Sequence, residues 1–307
     1  MLIAAFDRRR TLPVGTRIGM HAMHDGWLVR TIVRDGDRGS VLVINGRGDF
    51  IEKQAELLHE LGDLGFGYMS FDWRGQGGSG RLLGDARGHA EGFAPWLGDL
   101  AELVAWFRSV LPPPYFAIAH SMGGHLLLRH LVDHPGDFTR AVLLAPMVGL
   151  SAAPIGPGLA RLVAAVTTAF GQGEAYAPGS GPLVRGAPGT LRQRRLTHDL
   201  DRYADESWWL DEHPEWALGG VTNGWLRSAF ASIDELTARG VPERIATPLL
   251  ILTAAEEGLV DNVATRRLAA RLPDVRVRDF ARAGHELVRE VDSIRLPVFA
   301  AIAEFLG

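Results

Sequence analysis

Short apolar runs recur along the chain at residues 27–33, 41–44, 68–71, 115–119, 141–145, 249–253 and 275–280. Each is strand-length and bounded by polar or glycine-containing segments. From the second run onward, stretches of helical periodicity mostly separate them, at 52–64, 93–111, 122–133, 262–272 and 291–306. Near-continuous apolar strands alternating with amphipathic helices predict a mostly parallel sheet covered on both faces. The first run is separated from the second only by 34–40, a turn-like stretch with Gly36 and Gly39. That spacing predicts an antiparallel hairpin at the start of the sheet.

The rhythm breaks between about 151 and 240, where ninety residues pass without a strand pattern. The first part, to Gly189, is rich in Gly and Pro, with an apolar helical stretch at 159–170. The second holds Trp208, Trp209, Trp216 and Trp225, half of the chain's eight tryptophans. Residues 1–150 and 241–307 are expected to form the α/β core, and 151–240 a helical insertion. Ligands of open α/β sheets bind beyond the carboxyl ends of the strands, so an aromatic insertion there reads as a cap. The competing reading is a helical subdomain whose tryptophans only pack its own small core. Residues 141–160 carry no charge, but Pro146, Pro154 and Pro157 break the stretch, so a strand running into a loop is expected rather than a membrane span. The first ten residues place their arginines after a short apolar patch, the wrong order for a signal peptide.

Candidate chemistry centres on Ala119-His120-Ser121-Met122-Gly123-Gly124, between an apolar run and a helical pattern. A serine among small residues on a strand-to-helix turn has the layout of a nucleophile elbow. The backbone N–H of Met122, at the helix start, would point at a developing oxyanion. A serine hydroxyl needs a base, held in turn by a carboxylate, and on such a sheet the chain order is serine, acid, histidine. Of eleven histidines, only His198, His213 and His285 lie well beyond the helix after Ser121. His285 falls on the loop after the last strand-like run, where the base belongs. His198 and His213 read as surface residues of the insertion. His130 and His134 have i, i+4 spacing, without an acidic neighbour that suggests a metalloprotease motif; a solvated helix face is the simpler reading.

For the acid, the loop after 249–253 offers Glu256, Glu257 and Asp261. Glu257 precedes Val260 by three, the usual acid-x-x-aliphatic spacing of this loop, and is preferred. Asp261 is the alternative acid, although a helix N-cap explains it as well; Glu256 ranks third. A second oxyanion donor is expected from Asn45-Gly46-Arg47-Gly48, with the N–H of Arg47 the best candidate. The Arg47 side chain reads either as reaching an anionic substrate group or as a solvated loop residue. Gly75-Gln76-Gly77-Gly78-Ser79-Gly80 fits the spacing of a dinucleotide-binding fingerprint. No long helix follows it, and no acidic residue ends a strand about twenty positions on, so nucleotide binding is not expected.

The totals narrow the field. At 307 residues the chain suits one α/β domain with a sizeable insertion. A net charge of −4 gives no case for nucleic acid. With no cysteine there is neither disulfide nor thiol nucleophile nor thiolate metal site, in keeping with a reducing compartment.

With these residues in place, the chain resembles an α/β-hydrolase of the lysophospholipase and monoacylglycerol lipase group, and within it bacterial lysophospholipases grouped with the serine-aminopeptidase hydrolases. The resemblance covers nearly the whole chain. It is carried by Asn45-Gly46-Arg47 with Phe50-Ile51-Glu52-Lys53, by Asp72-Trp73-Arg74-Gly75-Gln76-Gly77-Gly78-Ser79-Gly80, by the Ser121 hexapeptide, and by Leu196-Thr197-His198-Asp199 and Leu218–Leu226 in the insertion. It implies Ser121 as nucleophile, His285 as base, Glu257 as acid, and the Met122 and Arg47 N–H groups as oxyanion donors. Three positions depart from the pattern: Ala119 replaces a Gly, Asn45 a His, and Glu257 the Asp of many relatives. The activity implied is carboxylic-ester hydrolysis of single-chain lipids, lysophospholipid or monoacylglycerol, with no cofactor and no metal. The expected partner is a small lipid substrate, with peripheral contact at the inner face of a membrane and a cytoplasmic location. An aminopeptidase or generic esterase of the same fold is the alternative, the former kept open by Asp199, Asp201, Asp205, Glu206, Asp211 and Glu212. A hydrolase scaffold turned binding protein is the rival from another class.

Overall fold

The computed structural model describes residues 8–152, 155–183 and 189–307. The expectations for residues 1–7 and for Pro154 fall outside that range. Eight strands form one sheet: β1 (Arg17–Ala22), β2 (Leu28–Arg34), β3 (Ser40–Ile44), β4 (Gly67–Phe71), β5 (Tyr115–His120), β6 (Arg140–Leu144), β7 (Leu249–Ala254) and β8 (Val275–Phe280). Their order is β1-β2-β4-β3-β5-β6-β7-β8. From β4 to β8 every pairing is parallel.

The antiparallel start is real, but its partners differ from those expected. β2 pairs antiparallel with β1 and with β4, not with β3. The 34–40 stretch runs beside the start of β4 instead of closing a hairpin. A Cβ on Gly36 would lie 2.0 Å from the Gly67 nitrogen, and Gly67 N–H bonds to the Gly39 carbonyl. The chain thus steps over the position that β4 fills. β1 escaped the apolar pattern because it is an edge strand exposed over almost its whole length, with Ile18 and Met20 both facing solvent.

Successive side chains of the central strands serve opposite faces of the sheet. Leu42, Ile44, Ala117, Ala119, Leu143 and Ile251 join one core, with α2 (Ala94–Val110), α3 (Met122–Asp133) and α8 (Asn262–Ala269). Val41, Val43, Ile118, Val142, Leu250 and Leu252 join the other, with α1 (Ala55–Asp63) and α9 (Asp292–Leu306). Burial on both faces is why these strands read as unbroken apolar runs.

Between β6 and β7 lie α4 (Gly156–Ala169), α5 (Leu191–Leu196), α6 (Leu200–Glu212) and α7 (Asn223–Thr237), with no strand among the described residues. The helix expected at 159–170 is α4. Side-chain oxygens of Thr190, Asp199 and Thr222 cap the starts of α5, α6 and α7. The four tryptophans divide. Trp209 and Trp216 pack with Leu210 and Phe50, and Trp208 stacks under Arg10. Trp225 belongs to the main core, tilted against Phe93. No described helix is long and apolar enough to cross a membrane.

Candidate active site

Ser121 caps α3 directly after β5, with φ 52° and ψ −117°. A non-glycine residue there is strained by about 1–3 kcal/mol and needs surrounding structure to hold it. That structure is visible. Ser121 N–H bonds to the Leu144 carbonyl of β6 at 2.9 Å, and its carbonyl accepts from Met147 N–H at 3.0 Å and His125 N–H at 3.1 Å. The turn also admits no side chain two residues on. A Cβ on Gly123 would lie 2.4 Å from the Asn45 carbonyl oxygen. Ala119 is fully buried on β5 and accommodated without distortion of the strand register.

His285 Nε2 lies 2.9 Å from Ser121 Oγ, and its Nδ1 lies 2.7 Å from Glu257 Oε2. The side chains of His285 and Glu257 are almost wholly buried. Glu257 is held by its other oxygen, which accepts from Leu259 N–H at 2.7 Å and Val260 N–H at 3.1 Å. This explains the acid-x-x-aliphatic spacing: buried Val260 anchors the loop while its own N–H fixes the carboxylate. Burial pulls the imidazolium pKa of His285 down, but Glu257, Glu286 and Asp49 outweigh it, and the net shift is upward. Burial pushes Glu257 up, yet His285 and the two loop N–H groups bring it below its ordinary value. Hydroxyl, imidazole and carboxylate thus form a line along which the serine proton can pass to the ring, with the carboxylate fixing the ring's tautomer.

The other two acids are engaged elsewhere. Asp261 caps α8, accepting from Val263 N–H at 2.8 Å and Ala264 N–H at 3.2 Å. Glu256 meets His198 Nε2 at 3.2 Å. His198 is more than a surface residue, since its Nδ1 also bonds Glu290 at 2.8 Å. His213 stacks on Trp216 with 3.8 Å between ring centroids.

The 45–48 loop borders the serine: a Cβ on Gly46 would come within 3.3 Å of Ser121 Cβ. Gly46 N–H is taken by Asp49 Oδ2 at 3.0 Å, and Gly48 N–H by Gln76 Oε1 at 2.6 Å. Between them, Arg47 N–H has no acceptor among the described residues, and neither has Met122 N–H. The Arg47 side chain fits neither expectation. It is half-buried in a cleft so narrow that a Cβ on Gly88 would lie 1.9 Å from Nη2, and it donates to the Gly219 carbonyl at 2.5 Å. Burial without a carboxylate partner lowers its pKa to about 10. Asn45 also turns away from the serine, donating to the Phe71 carbonyl at 2.8 Å and so tying the ends of β3 and β4 together.

The glycines at 75–80 wrap a carboxylate of the protein itself. A Cβ on Gly77, whose φ is +49°, would lie 2.4 Å from Asp72 Cγ. Asp72 accepts from Ile51 N–H and Gly78 N–H, both at 2.8 Å, and pairs with Arg30. The acidic residues of the insertion are largely paired as well: Asp199 with Arg202, Asp205 with Arg9 and Arg10, Glu206 with Lys53 and Arg192. His130 proves buried rather than solvated, 2.8 Å from Asp137, with His134 stacked on it. With Asp137 the pair makes a cluster of metal-ligand type, more than two turns along α3 from Ser121.

Residues 35–292 match the family described as serine aminopeptidase, S33, Hydrolase_4. Lysophospholipase L2 of Escherichia coli (strain K12) is 34% identical over 281 residues, spanning 87% of this chain and 80% of that protein. Probable lysophospholipase L2 of Haemophilus influenzae is 28% identical, spanning 88% and 84%. The structure of a monoglyceride lipase from Saccharomyces cerevisiae, in complex with a substrate analog, superposes with a TM-score of 0.75 at 18% identity, covering 97% of both chains. The chain therefore belongs to the Hydrolase_4 family of hydrolases and has the α/β-hydrolase fold.

Three substitutions test this geometry. Ser121→Gly relieves the positive φ, and a net stabilisation of about 1 kcal/mol is expected in urea unfolding, after the entropy that glycine adds to the unfolded chain. Glu257→Gln is expected to lower kcat for ester cleavage by about 10²- to 10⁴-fold. Asp261→Ala should leave kcat within a few-fold and cost about 1 kcal/mol of stability through the lost cap.

Proposed function

We propose that this protein is a serine carboxylic-ester hydrolase acting on single-chain lipids, a lysophospholipid in the first place and a monoacylglycerol in the second. The observation that carries the reading is the chain of contacts from Ser121 Oγ through the His285 ring to Glu257. Ser121 Oγ attacks the ester carbonyl while His285 Nε2 takes its proton. The N–H groups of Met122 and Arg47 hold the oxygen that becomes negative. As the C–O bond breaks, His285 returns the proton to the leaving alcohol, leaving an acyl-serine. Water, deprotonated by His285, then releases the fatty acid and restores the serine. Glu257 stabilises the imidazolium at each step. Neutral His285 is the base, and its pKa lies above the ordinary value. Activity should therefore rise with pH through a limb above that value.

The lipid reading rests on the family and on the relatives' names. In it, residues 151–240 act as a cap over the strand ends, on a core formed by 1–150 and 241–307. Helix α4 supplies a further argument. Ile155, Leu159, Leu162, Val166 and Phe170 recur at helical spacing and are 44% to 80% exposed, while Ala160 and Ala164 are buried on its other side. An exposed apolar stripe of this kind suits the boundary between headgroups and acyl chains, where such substrates reside. We take the protein to work in the cytoplasm, at the inner membrane face. A peptidase reading needs unpaired carboxylates for a substrate amine, and the pairing of Asp199, Asp205 and Glu206 disfavours it.

Hydrolysis of a long-chain lysophospholipid, a monoacylglycerol, a short p-nitrophenyl ester and an aminoacyl naphthylamide tests the reading, with Ser121→Ala as blank. The two lipids are expected to be cleaved best, and Ser121→Ala to lose about three or more orders of magnitude in kcat. Retention of a tenth of the activity would remove Ser121 from its role, and preference for the naphthylamide would move the assignment to peptidase. Absence of fluorophosphonate labelling at Ser121 would point to a binding protein instead. In a separate sedimentation assay, Leu162→Asp with Phe170→Asp should weaken binding to phospholipid vesicles severalfold while leaving p-nitrophenyl ester cleavage in place.

A further inference from the structure

A buried cluster of charge lies beside the His285 loop and has no part in the chemical steps above. At its centre is Asp49, on the loop after β3. Its Oδ2 accepts Gly46 N–H at 3.0 Å and lies 3.0 Å from His120 Nδ1. Its Oδ1 accepts from Lys53 Nζ at 2.8 Å. Lys53 Nζ also reaches Glu206 of α6 at 3.0 Å and Glu286 at 2.6 Å, and Arg289 pairs with Glu286 at 2.6 Å. His120 precedes the serine, and its Nε2 lies 3.3 Å from the backbone carbonyl of His285. The His120 and His285 rings are 4.8 Å apart between centroids.

Resting on the reading of Ser121 and His285 above, we propose that Asp49 is a positioning residue: one carboxylate that holds the oxyanion loop, the serine turn and the His285 loop at fixed separation. Three features carry this. The carboxylate is 4% exposed, so water does not substitute for a lost donor. Gly46 and Lys53 lie on its own 45–54 stretch and His120 at the end of β5, and the last two carry the contact on to the His285 loop, Lys53 through Glu286 and His120 through the His285 carbonyl. Taking Gly46 N–H also leaves Arg47 N–H as the free donor of the loop. A buried ion cluster is a poor way to gain stability, since apolar side chains of similar volume often serve as well; what it offers is directional bonding. The charged and titratable groups facing His285 are Glu257 on the acid loop, Asp49 and His120 on the two loop-and-strand ends beside it, and Glu286 on its own loop, with Lys53 and Arg289 behind them. Asp49 therefore acts on His285 through charge as well as through placement.

Asp49→Asn keeps the shape and removes the charge and one set of acceptor bonds. With the p-nitrophenyl ester, kcat should fall about tenfold or more while KM changes little, and the acid limb of the kcat/KM profile should move to lower pH. A merely structural role predicts lost stability with an unmoved limb. Wild-type kcat, or a slower enzyme with its limb in place, would overturn the proposal. His120→Asn supplies the same test if Asp49→Asn does not fold: it cuts the contact to the His285 carbonyl and leaves the Lys53 cluster intact. A fall in kcat of about tenfold is expected there too, and an unchanged kcat overturns the proposal. Fluorophosphonate labelling of wild-type Ser121 checks the underlying reading by itself, so labelled wild type with unaltered variants sinks only the role of Asp49.

Discussion

Everything at the candidate site depends on holding one serine in a backbone conformation it does not favour. Ser121 has φ 52°, and the turn is secured by hydrogen bonds to β6 and to the segment that follows it. The same turn brings α3 so close to the end of β3 that residue 123 has no room for a side chain. Parallel strands on either side of β5 supply that support, so the sheet order is a condition of the serine's exposure and not merely its background. Strain of this kind is held at a site by the cooperation of its surroundings, here β3, β5 and β6 together.

The parts of this arrangement legible in the sequence are those governed by local rules. Strands buried on both faces left apolar runs, and Ser121 announced itself through the small residues its turn requires. His285 and Glu257 could be named because chain order and loop position limit the choices. β1 left no signal, because an edge strand exposed on both faces has no burial pattern to display. The partner of β2 is hidden for a different reason: a seven-residue spacing is compatible with a hairpin, and the insertion of β4 between β2 and β3 is a long-range pairing that no local spacing encodes. The pairing of acidic residues in the insertion was likewise hidden, since Asp205 meets Arg9 and Arg10 from almost two hundred residues away. Asp49 and His120 stood beside recognised motifs, yet no spacing rule links residues that meet only through the fold.

Buried charge is used at several points where an apolar contact would fill the space. Asp72 is enclosed by its glycine loop, and burial raises its pKa to about 6. Lys53 collects three carboxylates from three parts of the chain. Such groups are costly to leave unpaired, so they act as registers: the loops fit together in one arrangement or leave a charge exposed to a low-dielectric interior. Helix α6 of the insertion is bound to the core through this same chemistry, which ties the insertion's seating to the loops around Ser121.

Arg47 brings two duties into one residue. Its N–H is the free donor of the 45–48 loop, while its guanidinium is wedged between Gly88 and Gly219. A single side chain thus connects the 218–225 segment to the backbone amide beside the serine. Under the proposed mechanism, the rigidity of a segment that need not touch the ester bears on its rate, and order parameters measured at Gly219 report the aim of a hydrogen bond made elsewhere.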